Sequence, residues 1–126
     1  MTDPAAIARE LFESYGAGDR AGFTALLAED MVGYVTTAEA GADRVEGREA
    51  YLGRLPDLLA TGGTLTVTQV LGIDEERALT MVEIRAEREG RSLHNFAAFL
   101  TRVVDGRVQE IWMVDALPAY SDEFWS

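Results

Sequence analysis

The sequence predicts an α+β fold, with helices in its first half and an antiparallel meander in its second. Three observations point to it. Up to Leu59 the apolar residues recur mainly at helical spacing, from Thr64 they fall into four long β-rich runs, and two breaks between those runs are two-residue hairpin turns, Glu89-Gly90 and Asp105-Gly106. With 126 residues and no repeat, linker or low-complexity tract, the chain is expected to form a single domain over residues 1–126.

Thr2 or Asp3 can cap a first helix with Pro4 in its first turn, and Ile7, Ala8, Leu11, Phe12 and Tyr15 form its apolar face until Gly16-Ala17-Gly18 breaks it. Asp19 caps a shorter second helix, with Phe23, Leu26 and Leu27 on one side, expected to end before Asp30. The period then changes. Met31–Thr36 reads as a short strand, and the Gly, Ala and Asp residues of 38–43 read as a loop. A third helix is expected after Gly47, with Tyr51, Leu52, Leu55, Leu58 and Leu59 as its stripe and Pro56 kinking or splitting it. Strands are expected at Thr64–Ile73, Arg77–Arg88, Arg91–Val103 and Arg107–Asp115. The tail from Ala116 receives no element; its aromatics Tyr120, Phe124 and Trp125 either close a pocket mouth or pack at a subunit seam.

The 22 Asp and Glu outnumber the 11 Lys and Arg, a net charge of -11 that repels phosphate backbones and anionic lipid. Nucleic acid and membranes are therefore not expected partners. Without cysteine there is no disulfide, thiol nucleophile or thiolate metal site. No apolar run approaches the ~20 residues that span a bilayer, and the acidic start lacks a basic leader region, so a soluble cytoplasmic protein is expected. Zinc would need three carboxylates around the one histidine, His94, and no local spacing offers them. Gly16–Gly22 has the wrong spacing for a phosphate loop and joins two helices. No metal or cofactor is expected.

The hairpin turns assign residues to sheet faces. A straight ladder from Val104 opposite Arg107 sets Phe96 opposite Asp115, and a ladder from Arg88 opposite Arg91 sets His94 opposite Arg85 and Phe96 opposite Glu83. One face then carries Met81, Glu83, Arg85, His94, Phe96, Ala98, Leu100, Met113 and Asp115, the other Val82, Ile84, Asn95, Ala97, Phe99, Trp112 and Val114. Both are too apolar for water, so the helices are expected to cover one and a second subunit the other, making a homodimer. Glu83, Arg85, His94 and Asp115 would converge on an apolar wall, as in a small-molecule site. A histidine beside carboxylates exchanges protons near neutral pH, although Glu83 with Arg85 also reads as a plain ion pair. His94 and Asp115 on opposite faces would undo this cluster.

Gly18-Asp19 between two helices, Glu29-Asp30-Met31-Val32, Val45-Glu46-Gly47 before a helix and Val104-Asp-Gly-Arg-Val-Gln-Glu-Ile-Trp112 at the last hairpin resemble, in that order, the SnoaL-like branch of the nuclear transport factor two superfamily. The resemblance covers essentially the whole chain. It implies a cone: three N-terminal helices packed on a curved antiparallel sheet around a deep pocket, dimerised through the outer sheet face. It does not select a reaction, because this scaffold hosts polyketide cyclases, ketosteroid isomerases, epoxide hydrolases, dehydratases and binding proteins. The general base of SnoaL-like cyclases would fall at Met113. The catalytic Tyr and two Asp of ketosteroid isomerases would fall at Leu11, Val35 and Ala98, and the Arg-x-Asp pair and last-strand Asp of limonene epoxide hydrolases near Met81, Glu83 and Met113. Only Glu83 keeps an acid.

Two function classes follow, with an epoxide hydrolase-like activity as a further alternative. In one, a cofactor-independent enzyme isomerises, cyclises or dehydrates a hydrophobic carbonyl compound, with His94 or Asp115 as base, Glu83 beside them and Arg85 holding the oxyanion. In the other, Met81, Met113, Phe96, Leu100, Tyr15 and Tyr51 line a cavity that binds a hydrophobic ligand without turnover.

Overall fold

A computed structural model of the chain describes residues 3–126 except 40, 57 and 59–61. Helix α1, Pro4–Gly16, starts as the sequence directs: Asp3 accepts a hydrogen bond from Ala5 N at 3.0 Å, and Pro4 occupies the first turn, where its missing N–H costs nothing. Asp19 caps α2, Arg20–Ala25, through Gly22 N at 2.9 Å. This helix stops earlier than expected because Leu26 O is taken by Val108 N at 2.8 Å and the chain enters strand β1, Leu27–Thr37. The stretch read as a loop contains strand β2, Gly41–Glu46, in which only Val45 is buried, so it carries no alternation to read. Helix α3 is the single short piece Arg48–Arg54; Pro56 forces Leu55 into the extended region and ends it. Leu59 and Thr2 lie outside the described residues.

Strands β3, Thr64–Gly72, β4, Arg77–Arg88, β5, Arg91–Val104, and β6, Arg107–Asp115, match the expected runs to within a residue at each end. The tail is not irregular: Pro118–Trp125 forms helix α4. Among the described residues the strands make one sheet in the order β2-β1-β6-β5-β4-β3. The sheet is curved, as expected, but mixed, because β1 runs parallel to β6 while every other pair is antiparallel.

The two hairpin turns have positive φ at both central residues, Glu89 and Gly90, and Asp105 and Gly106, the geometry that matches strand twist. From the first turn the β4–β5 ladder runs straight, pairing Arg85 with His94 and Glu83 with Phe96 as expected. The second ladder does not. Val104 pairs with Arg107 and Val103 with Val108, but Arg102 then pairs with Glu110, so Gln109 is an extra residue on β6. Gln109 turns its amide to Asp30 Oδ1 at 3.0 Å, where β1 also shifts register. Beyond this bulge Asp115 stands opposite Ala97, and the face assignment of Met113 and Asp115 is reversed.

The concave face therefore carries Val82, Ile84, Leu93, Ala97, Phe99, Ile111, Met113 and Asp115. Phe12 of α1 packs on Phe99 with ring centroids 4.6 Å apart, and Leu11, Leu27, Met31, Val108 and Ile111 are fully buried around them. The convex face carries Met81, Glu83, Arg85, His94, Phe96 and Ala98, joined beyond the bulge by Trp112 and Val114. Among the described residues no helix is long and apolar enough to cross a membrane.

Candidate functional site

The helices do not fill the concave face. A cavity of about 610 Å³ remains, walled by α1, α3, the sheet and α4, a volume in the range of small-molecule sites. Its inner wall is apolar, with Phe12, Phe23, Val35, Phe99 and Met113 contributing. Polar groups stand toward α4: Asp115, Ser121, Asp122 and Arg88.

Asp115 is the carboxylate with the most defined setting. Its Oδ1 accepts from Asn95 Nδ2 at 2.7 Å and from Leu117 N at 2.8 Å, and its Oδ2 has no partner among the described residues. Asn95 is 2% exposed and also donates to Ser121 Oγ at 2.9 Å. One carboxylate oxygen is thus locked and the other is left to the cavity. Neither Asn95 nor Ser121 was a candidate from sequence. The available signal was Asn95 itself, a polar residue on a buried strand face, which must find partners.

Tyr51 stands 3% exposed on the cavity wall, and its hydroxyl makes no hydrogen bond among the described residues. Burial, and then the neighbouring Tyr15, push its pKa far above the ordinary phenol value, so it stays a neutral donor at any pH the protein meets. Tyr15, also on the wall, gives its proton to Pro56 O at 2.7 Å. Gly33 makes room for Tyr51: a Cβ there would lie 2.3 Å from the ring. Gly33→Ala is therefore expected to push the ring and cost about 1–3 kcal/mol in urea unfolding, as overpacking does; an unchanged midpoint would mean the ring has another seat.

The other expected site residues divide by face. Val35 and Met113 stand on the cavity wall with Tyr15 and Tyr51, while Leu11 is sealed in the core. Met81, 40% exposed, Phe96, 51% exposed, and Ala98 are on the convex face, away from the cavity. Glu83, His94 and Arg85 do meet, His94 Nε2 lying 2.6 Å and Arg85 Nη2 3.3 Å from Glu83 Oε2. The hydrogen bond with His94, and then the charge of Arg85, hold the Glu83 carboxyl below its ordinary range. This trio is on the convex face, however, and Asp115 on the concave one, so the expected four-residue cluster is not formed. Its cause is the bulge at Gln109, which a straight ladder omits.

A model of the SnoaL-like domain matches residues 8–111. The chain belongs to the SnoaL-like family. An uncharacterized protein of Mycobacterium tuberculosis is 31% identical to this SnoaL-like chain over 131 residues, covering 100% of both. Bal32a, from a soil-derived mobile gene cassette, superposes with a TM-score of 0.86 at 24% identity, over 98% of this chain and 97% of that one. A Mycobacterium tuberculosis protein solved in complex with estradiol-17β-hemisuccinate gives a TM-score of 0.71 at 19% identity, over 90% and 93% of the two chains. The fold is thus that of nuclear transport factor two-like proteins, and the family includes isomerases and cyclases.

Proposed function

We propose that this SnoaL-like protein takes an apolar small molecule with a carbonyl group into its cavity and moves a proton on it, without a cofactor. Asp115 Oδ2 takes a proton from the carbon beside the carbonyl, the C–H electron pair becomes the enolate, and the neutral Tyr51 hydroxyl donates to the developing oxyanion. In a β,γ-unsaturated ketone, return of the proton to the γ carbon of the dienolate completes an isomerisation; attack of the enolate carbon on a second carbonyl of the same molecule, whose C=O π pair becomes an alkoxide that takes the proton back from Asp115, completes a cyclisation. The observation that carries this reading is the divided carboxylate of Asp115, one oxygen held by Asn95 and Leu117 N and the other without a partner among the described residues, at the polar end of an otherwise apolar cavity. In D2O, apolar ketones that bind should exchange the hydrogens beside the carbonyl for deuterium, followed by NMR; binding without exchange would leave a carrier.

The carrier reading has an observation of its own. Leu11, Val35, Ala98 and Met113, where the resemblance would seat catalytic groups, are apolar, and His94, Glu83 and Arg85 lie on the other face of the sheet. That a protein of this fold is solved with an estradiol derivative supports an apolar ligand of steroid size in either case.

We also propose a homodimer through the convex face. Phe96 and Val114 are 51% and 61% exposed there, beside the stacked pair Tyr34–Trp112, whose rings lie 5.0 Å apart. A patch of that kind in water is costly unless a second copy covers it. Sedimentation should give twice the 13.8 kDa chain mass, and Phe96→Glu with Val114→Glu should return it to one. A wild-type species at the single-chain mass would refute the dimer.

A further inference from the structure

Arg88 is a cation on the cavity wall for which neither the packing nor the proposed reaction has a use. It ends β4 on the concave side, in the alternation Val82, Ile84, Ala86, where an apolar residue would complete the face. Its one hydrogen bond among the described residues is a long one, from Nη1 to Phe124 O at 3.3 Å, and no carboxylate lies within ion-pair distance. A guanidinium has five donors, so most of its capacity is unspent. The other arginine of the wall, Arg54, is already paired with Asp43 at 3.1 Å. Asp122, the wall carboxylate other than Asp115 among the described residues, accepts from Ala38 N at 3.0 Å.

Holding α4 does not account for Arg88 either. Arg91 holds that helix from outside the cavity, donating to Glu123 O at 3.0 Å while pairing with Glu89 at 3.7 Å. A half-buried cation beside an apolar wall is costly unless an anion meets it, and no carboxylate among the described residues supplies one here.

We propose that the cavity's ligand carries an anionic group bound by Arg88. This rests on reading the cavity as a small-molecule site, and it narrows the ligand to an apolar body with a carboxylate, sulfonate or similar anion. Helix α4 sets the spacing. Leu117 N touches Asp115 Oδ1 and Phe124 O touches Arg88, so the two ends are separated by seven residues of helix, about 10 Å at 1.5 Å per residue. The anion and the reacting carbon are therefore about 10 Å apart in the ligand, on the scale of a fused-ring skeleton.

Two fluorescent probes test this: 8-anilinonaphthalene-1-sulfonate, and N-phenyl-1-naphthylamine, the same body without the anion. The indole N–H signal of Trp125, on the cavity wall, reports by NMR whether a probe is inside. The wild type should bind the sulfonate at least about tenfold more tightly, the scale of one charge-assisted hydrogen bond. Arg88→Gln should abolish that preference and leave the neutral probe unchanged; Arg88→Lys should keep most of it, and Arg91→Gln all of it. Equal weakening of both probes in Arg88→Gln, or an unaltered preference, overturns the anion site while the cavity reading stands. If neither probe moves the Trp125 signal in the wild type, the cavity reading falls and this inference with it.

Discussion

Asp115→Asn should slow deuterium exchange on a bound ketone at least about 100-fold, the scale of a positioned general base, while its Kd for the ketone stays within about threefold. The substitution is chosen for what it keeps. An amide oxygen can still accept from Asn95 Nδ2 and Leu117 N, so the locked side of the carboxylate survives and α4 stays seated. Lost is Oδ2, the lone pair without a partner. Asp115→Ala would be less informative, because it strips the buried Asn95 amide and the Leu117 N–H of their acceptor, and an unsatisfied buried donor costs about 1–3 kcal/mol. Unchanged exchange in Asp115→Asn would remove Asp115 from the chemistry. A loss of binding equal to the loss of exchange would mean that it acts by holding α4.

Ile111→Asp should leave no cooperative unfolding transition in urea, whereas Val114→Asp, three residues along the same strand, should still unfold cooperatively, as the single chain that loss of the dimer leaves. Ile111 has no exposed surface and lies among the core side chains of the concave face. Deleting a buried Ile to Ala already costs about 2–5 kcal/mol, and an ionised carboxylate in its place costs several more, against a total stability of about 5–15 kcal/mol. Val114 faces outward. On an unbulged ladder opposite the same β5 strand the outcomes would be reversed, with Val114 inside. A soluble, cooperatively folding Ile111→Asp would therefore refute the extra residue at Gln109.

That single residue also separates what could be read in the sequence from what could not. Helix caps, turn residues and long alternating runs act locally, and Asp3, Asp19, Glu89-Gly90 and Asp105-Gly106 sit where local reasoning puts them. The bulge is set by β1, which meets β6 from the far end of the sequence and takes the Gln109 amide on Asp30. A trace is visible in retrospect: Val108 and Ile111 are both fully buried though three residues apart, which no unbroken period of two permits. Helix α4 was illegible for a related reason. Phe124 alone of its residues is buried, against Ala86 and Leu93, and the rest of its seat is a set of polar anchors from distant strands: Arg91, Asn95 and the backbone of Ser92, to which Tyr120 donates at 2.6 Å. Tyr15, Tyr51, Val35 and Met113 were legible as wall residues because each lies in an element whose periodicity is unbroken up to it, or was placed by the family resemblance.

The parallel seam between β1 and β6 bears on how fast the cavity comes into being. Strands β3 to β6 are joined in sequence by short turns and can assemble from near neighbours, but Leu27 must find Val108 across about 80 residues, and closing so large a loop is entropically slow. Thr36 Oγ1 fastens that seam to Met113 O at 2.6 Å, beside Val35 on one strand and Asp115 on the other. Both edges of the cavity therefore meet only when a loop of about 80 residues closes, so the cavity is expected to be complete only late in refolding.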